Sequence, residues 1–246
     1  MLYFLLQPIL IYHWLLIFAA VIPAIVLMVK VYRSDRIEKE SPRQLVSVAE
    51  AGVLAALLAL VEETIGQWIL GSFVAQDDPR YNVIMFFVVV AISEESSKYI
   101  FMKRRSWNSY EFNCQYDGVV YALFTSLGFA LWENISYVLS YGFATALVRA
   151  VTAIPGHASF GVFMGVFYGA AKRAEMAGDL EKSKLLRFLG VVVAALLHGA
   201  YDYLASSQSE TGTGYFLIYV VALFIGAFIT VNKASRQDRY LDRPMW

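Results

Sequence analysis

The feature that most constrains this chain is a succession of apolar runs, each close to the ~20 residues that a helix needs to cross a hydrocarbon core of ~30 Å. Seven can be read, over residues 9–29, 45–70, 81–102, 118–141, 147–171, 186–205 and 214–231. Backbone polar groups in lipid must be satisfied within the segment itself or within a closed barrel, so single runs of this length fold as helices. They take up nearly two thirds of the 246 residues and leave no length for a separate soluble domain. The expectation is an all-α polytopic membrane protein, one helical bundle over residues 1–246. The fifth run, interrupted by Pro155 and Gly156, is the least regular.

Charge placement gives the orientation, because Lys and Arg are retained on the cytoplasmic side. Seventeen of the twenty basic residues fall in alternate connections: Lys30, Arg33, Arg36, Lys39 and Arg43; Lys103 to Arg105; Lys172, Arg173, Lys182, Lys184 and Arg187; and Lys233, Arg236, Arg239 and Arg243. The opposite side carries Arg80 and Arg149. An N-terminus outside and a C-terminus in the cytoplasm follow from this asymmetry. The first run has no basic residue before it, so it reads as a span and not as a cleaved signal peptide. His13, between Tyr12 and Trp14, reads as part of an interfacial aromatic belt. The balance of 20 basic against 20 acidic residues offers no basis for a nucleic-acid partner, and the single Cys114 excludes an internal disulfide or a cysteine metal cage.

Several polar residues sit where lipid should be. A charged side chain at the bilayer centre costs ~2.5 to 3.5 kcal/mol on insertion scales, and such residues normally face a bundle interior and mark a working site. The second run holds Glu62 and Glu63; the third Glu94, Glu95 and Lys98; the fourth Glu133 and Asn134; the fifth His157; the sixth His198 and Asp202. Acids and imidazoles on successive helices imply one shared polar centre.

Spacing sharpens this. Lys98 is four residues from Glu94 and three from Glu95, so its ammonium reaches both carboxylates on one helix face. His157 opens a four-residue ladder with Gly161, Gly165 and Gly169, whose small side chains let helices approach closely and carry the imidazole inward. The same face can serve a homo-oligomer. His198 and Asp202 are four apart, so the carboxylate can fix the ring's tautomer. Glu62 and Glu63 lie toward the outer end of the second run and match none of these patterns.

Four ordered motifs carry a resemblance: Glu94-Glu95-x-x-Lys98, Phe129-x-x-x-Glu133-Asn134-x-x-Tyr137, His157-x-x-x-Gly161 and His198-x-x-x-Asp202. In this order, from about Val90 to Asp202, the chain resembles the PrsW family of bacterial intramembrane proteases, within a superfamily that includes the CAAX prenyl endopeptidases. The resemblance implies a multi-pass protease of the bacterial cytoplasmic membrane with its core at about 81–205. It implies a single-pass membrane protein as substrate, such as an anti-sigma factor, cut first at this site in stress signalling. It places the family's paired glutamates on Glu94 and Glu95 and its late histidine on His198.

The chemistry agrees with those positions. A carboxylate can deprotonate a water while a second acid or imidazole protonates the leaving nitrogen. Glu94 or Glu95 is the base, His198 the orienting or acid partner held by Asp202, and Asn134 or His157 the donor to the developing oxyanion. Zinc is the alternative route, with His157 and His198 as ligands and Glu133 or Asp202 as the third. A proton relay or ion-coupled transporter would use the same residue types. No inverted pair of broken helices, which many such transporters show, is visible here.

Overall fold

The computed structural model describes residues 2–241, with side chains from Ile11 onward, so Arg243 of the basic tail lies outside the described residues. The helices are α1 (Leu2–Ser34), α2 (Pro42–Phe73), α3 (Pro79–Ile84), α4 (Ala91–Ser106), α5 (Asp117–Tyr141), α6 (Phe143–Val151), α7 (Ala153–Met176), α8 (Leu180–Ala205) and α9 (Glu210–Arg236). A π-helical segment, Met85–Val90, joins α3 to α4. Among the described residues there is no named strand, only an isolated bridge between Cys114 and Tyr240.

Every expected run has a helical counterpart; α5 matches its run to within one residue, and the others extend several residues beyond theirs at one or both ends. Six stretches are long and apolar enough to cross a membrane: Ile11–Ser34, Pro42–Phe73, Asp117–Tyr141, Phe143–Met176, Leu180–Ala205 and Glu210–Arg236. The seventh, α3 through α4, falls short in apolarity because it carries Glu94, Glu95, Lys98 and three terminal basic residues. Burial against protein compensates: Glu94, Glu95, Ser97 and Lys98 are all buried.

Helix starts follow local chemistry. Ser41 caps α2 by accepting from Gln44 N, with Pro42 at the first position; Asp78 does the same for α3 through Arg80 N, ahead of Pro79. Asp179 and Ser209 cap α8 and α9 through Lys182 N and Gly212 N. Gly142 (φ 85°) turns the chain between α5 and α6, and Gly178 (φ 83°) ends the turn after α7, both in the left-handed region that favours glycine. The irregularity expected at Pro155 lies earlier, at Thr152 (φ −120°, ψ −69°). Restarting there puts Pro155 in the first turn of α7, where its missing N–H costs nothing.

α5 is the central helix, with most of its first half buried and α1, α2 and α7 packed around it. The close approach is built on glycine. A Cβ on Gly52 of α2 would lie 2.0 Å from Thr125 O, and one on Gly128 of α5 would lie 2.0 Å from Ala49 O. The ladder Gly161, Gly165 and Gly169 lies against α5 and the residues just before it, meeting Ser126, Val119 and Gln115. That face is therefore covered inside the molecule.

Candidate active site

Three helices deliver the central groups. Glu94, Glu95 and Lys98 come from one face of α4, His157 from the first turns of α7, and His198 from the last third of α8. The π segment lies immediately before this face; its wider turn changes the angular register of α4, a feature frequent at functional sites. Glu95 is fully buried and Lys98, His198, His157 and Glu94 are at most 5% exposed, so all five are removed from bulk solvent.

Lys98 Nζ donates to Glu95 Oε1 at 2.7 Å, Glu94 Oε2 at 3.0 Å and His157 Nδ1 at 3.1 Å. An ammonium has no lone pair, so Nδ1 of His157 accepts and its Nε2–H donates to Glu133 Oε2 at 2.7 Å. His198 Nδ1 meets Glu95 Oε1 at 2.9 Å and Glu94 Oε2 at 3.7 Å, and its Nε2 meets Asp202 Oδ2 at 3.3 Å. Phe160 stacks on the His198 ring, with centroids 4.7 Å apart and planes at 19°. The two imidazoles stand edge to face at 5.3 Å.

The expected pair at four-residue spacing on α8 is present, as is the Glu94–Glu95–Lys98 arrangement on α4. The carboxylates that converge with both imidazoles, however, belong to Glu94 and Glu95. One ligand atom from each of Glu94, Glu95, His157 and His198 can be chosen so that all lie within 4.8 Å of one another. Glu133 and Asp202, anticipated as third ligands, instead meet Nε2 of His157 and of His198. Asn134 is fully buried but turned away from this centre: its amide nitrogen donates to Ala20 O of α1 at 2.9 Å and its oxygen accepts from Arg149 Nε at 2.9 Å.

A cavity of about 310 Å³ opens onto the cluster, walled by Glu94, His157, His198, Glu133, Asp202 and Tyr137 together with Glu63, Arg149, Phe160 and Tyr201. Glu94 is on the wall; Glu95 lies behind it. The Glu95 Oε2 atom is buried and has no hydrogen-bond partner. Two charged wall residues belong to no sequence motif. One is Glu63, whose neighbour Glu62 is engaged by Ser97 Oγ of α4 at 3.0 Å. The other is Arg149, which in sequence is simply a basic residue on the outer side. Its guanidinium lies 2.9 Å from Glu133 Oε2 and 4.1 Å over the Tyr137 ring. The available signal was α6 itself, a short amphipathic helix whose single cation would be costly to place in lipid.

Comparison with known proteins gives the same reading independently. A family described as "PrsW family intramembrane metalloprotease" matches residues 40–229. Protease PrsW of Geobacillus kaustophilus (strain HTA426) is 31% identical over 224 residues, 91% of this chain and 94% of the relative. Protease PrsW of Oceanobacillus iheyensis is 32% identical over 219 residues, covering 88% and 94%, and that of Bacillus subtilis (strain 168) 31% over 201 residues, covering 79% and 84%. No solved structure matches the chain. Because the matched stretch takes in every helix that contributes to the buried Glu/His centre, the chain belongs to the PrsW family and is a multi-pass protease of a bacterial membrane.

Proposed function

We propose that the centre between α4, α7 and α8 hydrolyses a peptide bond of a single-pass, membrane-anchored substrate, with Glu94 as the base. The observation that carries this is the meeting of Glu94, Glu95, His157 and His198 within 4.8 Å on a cavity whose wall includes Glu94 and both imidazoles. Glu94 is the carboxylate that an entering water reaches first, and it takes the proton as the water oxygen attacks the carbonyl carbon. Glu95, held by Lys98 and His198, positions the imidazole of His198. With Asp202 on its other nitrogen, His198 gives a proton to the departing amine. Arg149, on the cavity wall, faces the developing oxyanion, whereas both ring nitrogens of His157 are already engaged by Lys98 and Glu133.

The family is described as metalloproteases, and the donors present suit such an ion: two imidazoles and two carboxylates, with a buried Oε2 on Glu95 that has no partner. On that alternative route Glu94, Glu95, His157 and His198 would hold the ion in place of the base and acid roles given above, and zinc is the ion this donor set favours. When bound, the ion supplies a Lewis acid that polarises a carbonyl and acidifies a water. Glu133 supports the arrangement by fixing the His157 tautomer.

The residues on the wall also support a direction of entry. Glu63, Tyr137, Arg149 and Asp202 come from helix ends opposite the basic connections at 103–105, 172–173 and 182–187. With the N-terminus outside and the C-terminus cytoplasmic, the cavity opens in the extracytoplasmic half. The resemblance supports an anti-sigma factor as the substrate, cut first here. The test is cleavage of a single-pass substrate in liposomes. Wild type cuts it, Glu94→Gln and His198→Ala do not while remaining folded, and ion flux without cleavage would replace this reading with a proton relay.

A further inference from the structure

Lys98 stands among the donors themselves. Its Nζ is within hydrogen-bond reach of Glu94 Oε2, Glu95 Oε1 and His157 Nδ1, which belong to three of the four residues able to hold an ion. The ammonium is 1% exposed, and its remaining side is covered by the Phe129 ring with the centroid at 4.0 Å. His157 Nδ1 has a single lone pair, and the Lys98 hydrogen bond takes it, so an ion on that nitrogen must displace the ammonium; at the two carboxylates an ion would be pressed against the same positive charge in a poorly screened interior. The charge balance points the same way. Two carboxylates, Glu94 and Glu95, match one divalent ion; with Lys98 in place they are already half neutralised.

We propose that the Lys98 ammonium and a divalent cation are alternative occupants of one nest, so that Lys98 holds down the metal affinity of this site and must leave its three acceptors for an ion to bind. This rests on the reading of Glu94, Glu95, His157 and His198 as the donor set. Lys98 is then a built-in counter-cation, keeping both carboxylates satisfied and oriented while no metal is bound. Simple ligand spacing does not show such a role, because the lysine is three and four residues from the acids and reads equally as an ordinary helix ion pair.

The test uses the full chain in detergent, stripped with a chelator and titrated with Co²⁺, whose visible absorption reports nitrogen and oxygen coordination without any activity measurement. Wild type is compared with Lys98→Met and with Lys98→Gln, both of which leave all four donors in place. The glutamine removes the charge but keeps a polar group that can donate to the carboxylates, so it remains informative if the methionine variant does not fold. Both variants are expected to bind Co²⁺ at least tenfold more tightly than wild type, and adding His198→Ala to either is expected to abolish the signal. Equal affinity in wild type and the Lys98 variants, still lost with His198→Ala, overturns the competition and leaves the donor set standing. A Co²⁺ signal indifferent to His198→Ala overturns the donor set, and the competition with it.

Discussion

Glu94 and Glu95 are neighbours in sequence, yet one forms cavity wall and the other has no exposure at all. This gives them different sensitivities. Glu94→Gln keeps the shape and removes the proposed base, and a general base contributes typically ~10²- to 10⁴-fold, so kcat should fall by about 10³-fold with little change in KM. Asp202→Asn keeps a partner on His198 Nε2 and weakens only its orientation, so a loss of roughly 10- to 100-fold is expected. Steady-state cleavage of a single-pass substrate by both variants checks the order. An Asp202→Asn loss as large as that of Glu94→Gln would show that Asp202 does more than orient the ring. A third substitution tests a residue absent from the motifs. Arg149→Lys keeps the charge but cannot reproduce a fork that meets Glu133 and Asn134 together, so cleavage should drop by at least ~10-fold, with the fold retained. Legibility at this scale divides by periodicity. The pairs within one helix, Glu94 with Lys98 and His198 with Asp202, could be read directly from three- and four-residue spacing. Contacts between helices could not: spacing alone does not say that Glu133 meets His157 or that Asn134 turns toward Ala20.

At the scale of elements, the seven membrane-length stretches and their order were legible because apolar run length is a direct physical requirement of lipid. Two features were not. The π segment at Met85–Val90 leaves no mark in an all-apolar stretch, since one extra residue per turn changes neither hydrophobicity nor charge. The break at Thr152 precedes the proline that signals it, because proline tolerates a first turn and not an interior one. The glycine face was legible as a packing face, while its partner, α5, is visible only in three dimensions. The close crossing between α2 and α5 supports a paired prediction. Gly128→Ala places a methyl 2.0 Å from Ala49 O, so α2 and α5 must separate, with a cost of about 2–3 kcal/mol. Gly71→Ala, on the same α2 where nothing lies within 4 Å, should gain up to about 1 kcal/mol from helix propensity alone. Thermal unfolding in detergent checks both signs. A Gly128→Ala protein as stable as wild type would mean that the α2–α5 contact is looser than the structure has it.

At the face opposite the cavity, the C-terminal end of α1 is joined to the tail that follows α9. Ser235 Oγ donates to Ser34 O, Leu241 N to Asn113 O at 2.7 Å, Gln115 N to Arg239 O at 3.0 Å, and Tyr116 N to Asp238 Oδ1 at 2.8 Å. The end of α1, the 107–116 connection and the tail are thereby tied together under α5. This junction contains a liability. Asp35 is 4% exposed, and its carboxylate gains only weak support, from the neighbouring backbone N–H groups of Ile37 and Arg36. Burial, against the partial relief of Lys39 and with added repulsion from Asp238, pushes its pKa from 3.8 up to about 6. By linkage, a carboxyl whose pKa is raised on folding favours the folded state fully only below its unfolded value, and that contribution is lost as pH rises through the folded value. The junction should therefore be firmest near pH 4 and weaken up to about pH 6, above which the effect is complete. A rise from 3.8 to about 6 corresponds to roughly 3 kcal/mol, which we reduce to ~1 kcal/mol for water at the end of the bundle. Asp35→Asn stays neutral throughout, so it should be more stable than wild type by ~1 kcal/mol at pH 7.5 and no more stable at pH 4. Thermal unfolding of both proteins in detergent across that range measures the difference. A gain of equal size at both pH values would assign it to new hydrogen bonds of the amide and not to the lost charge.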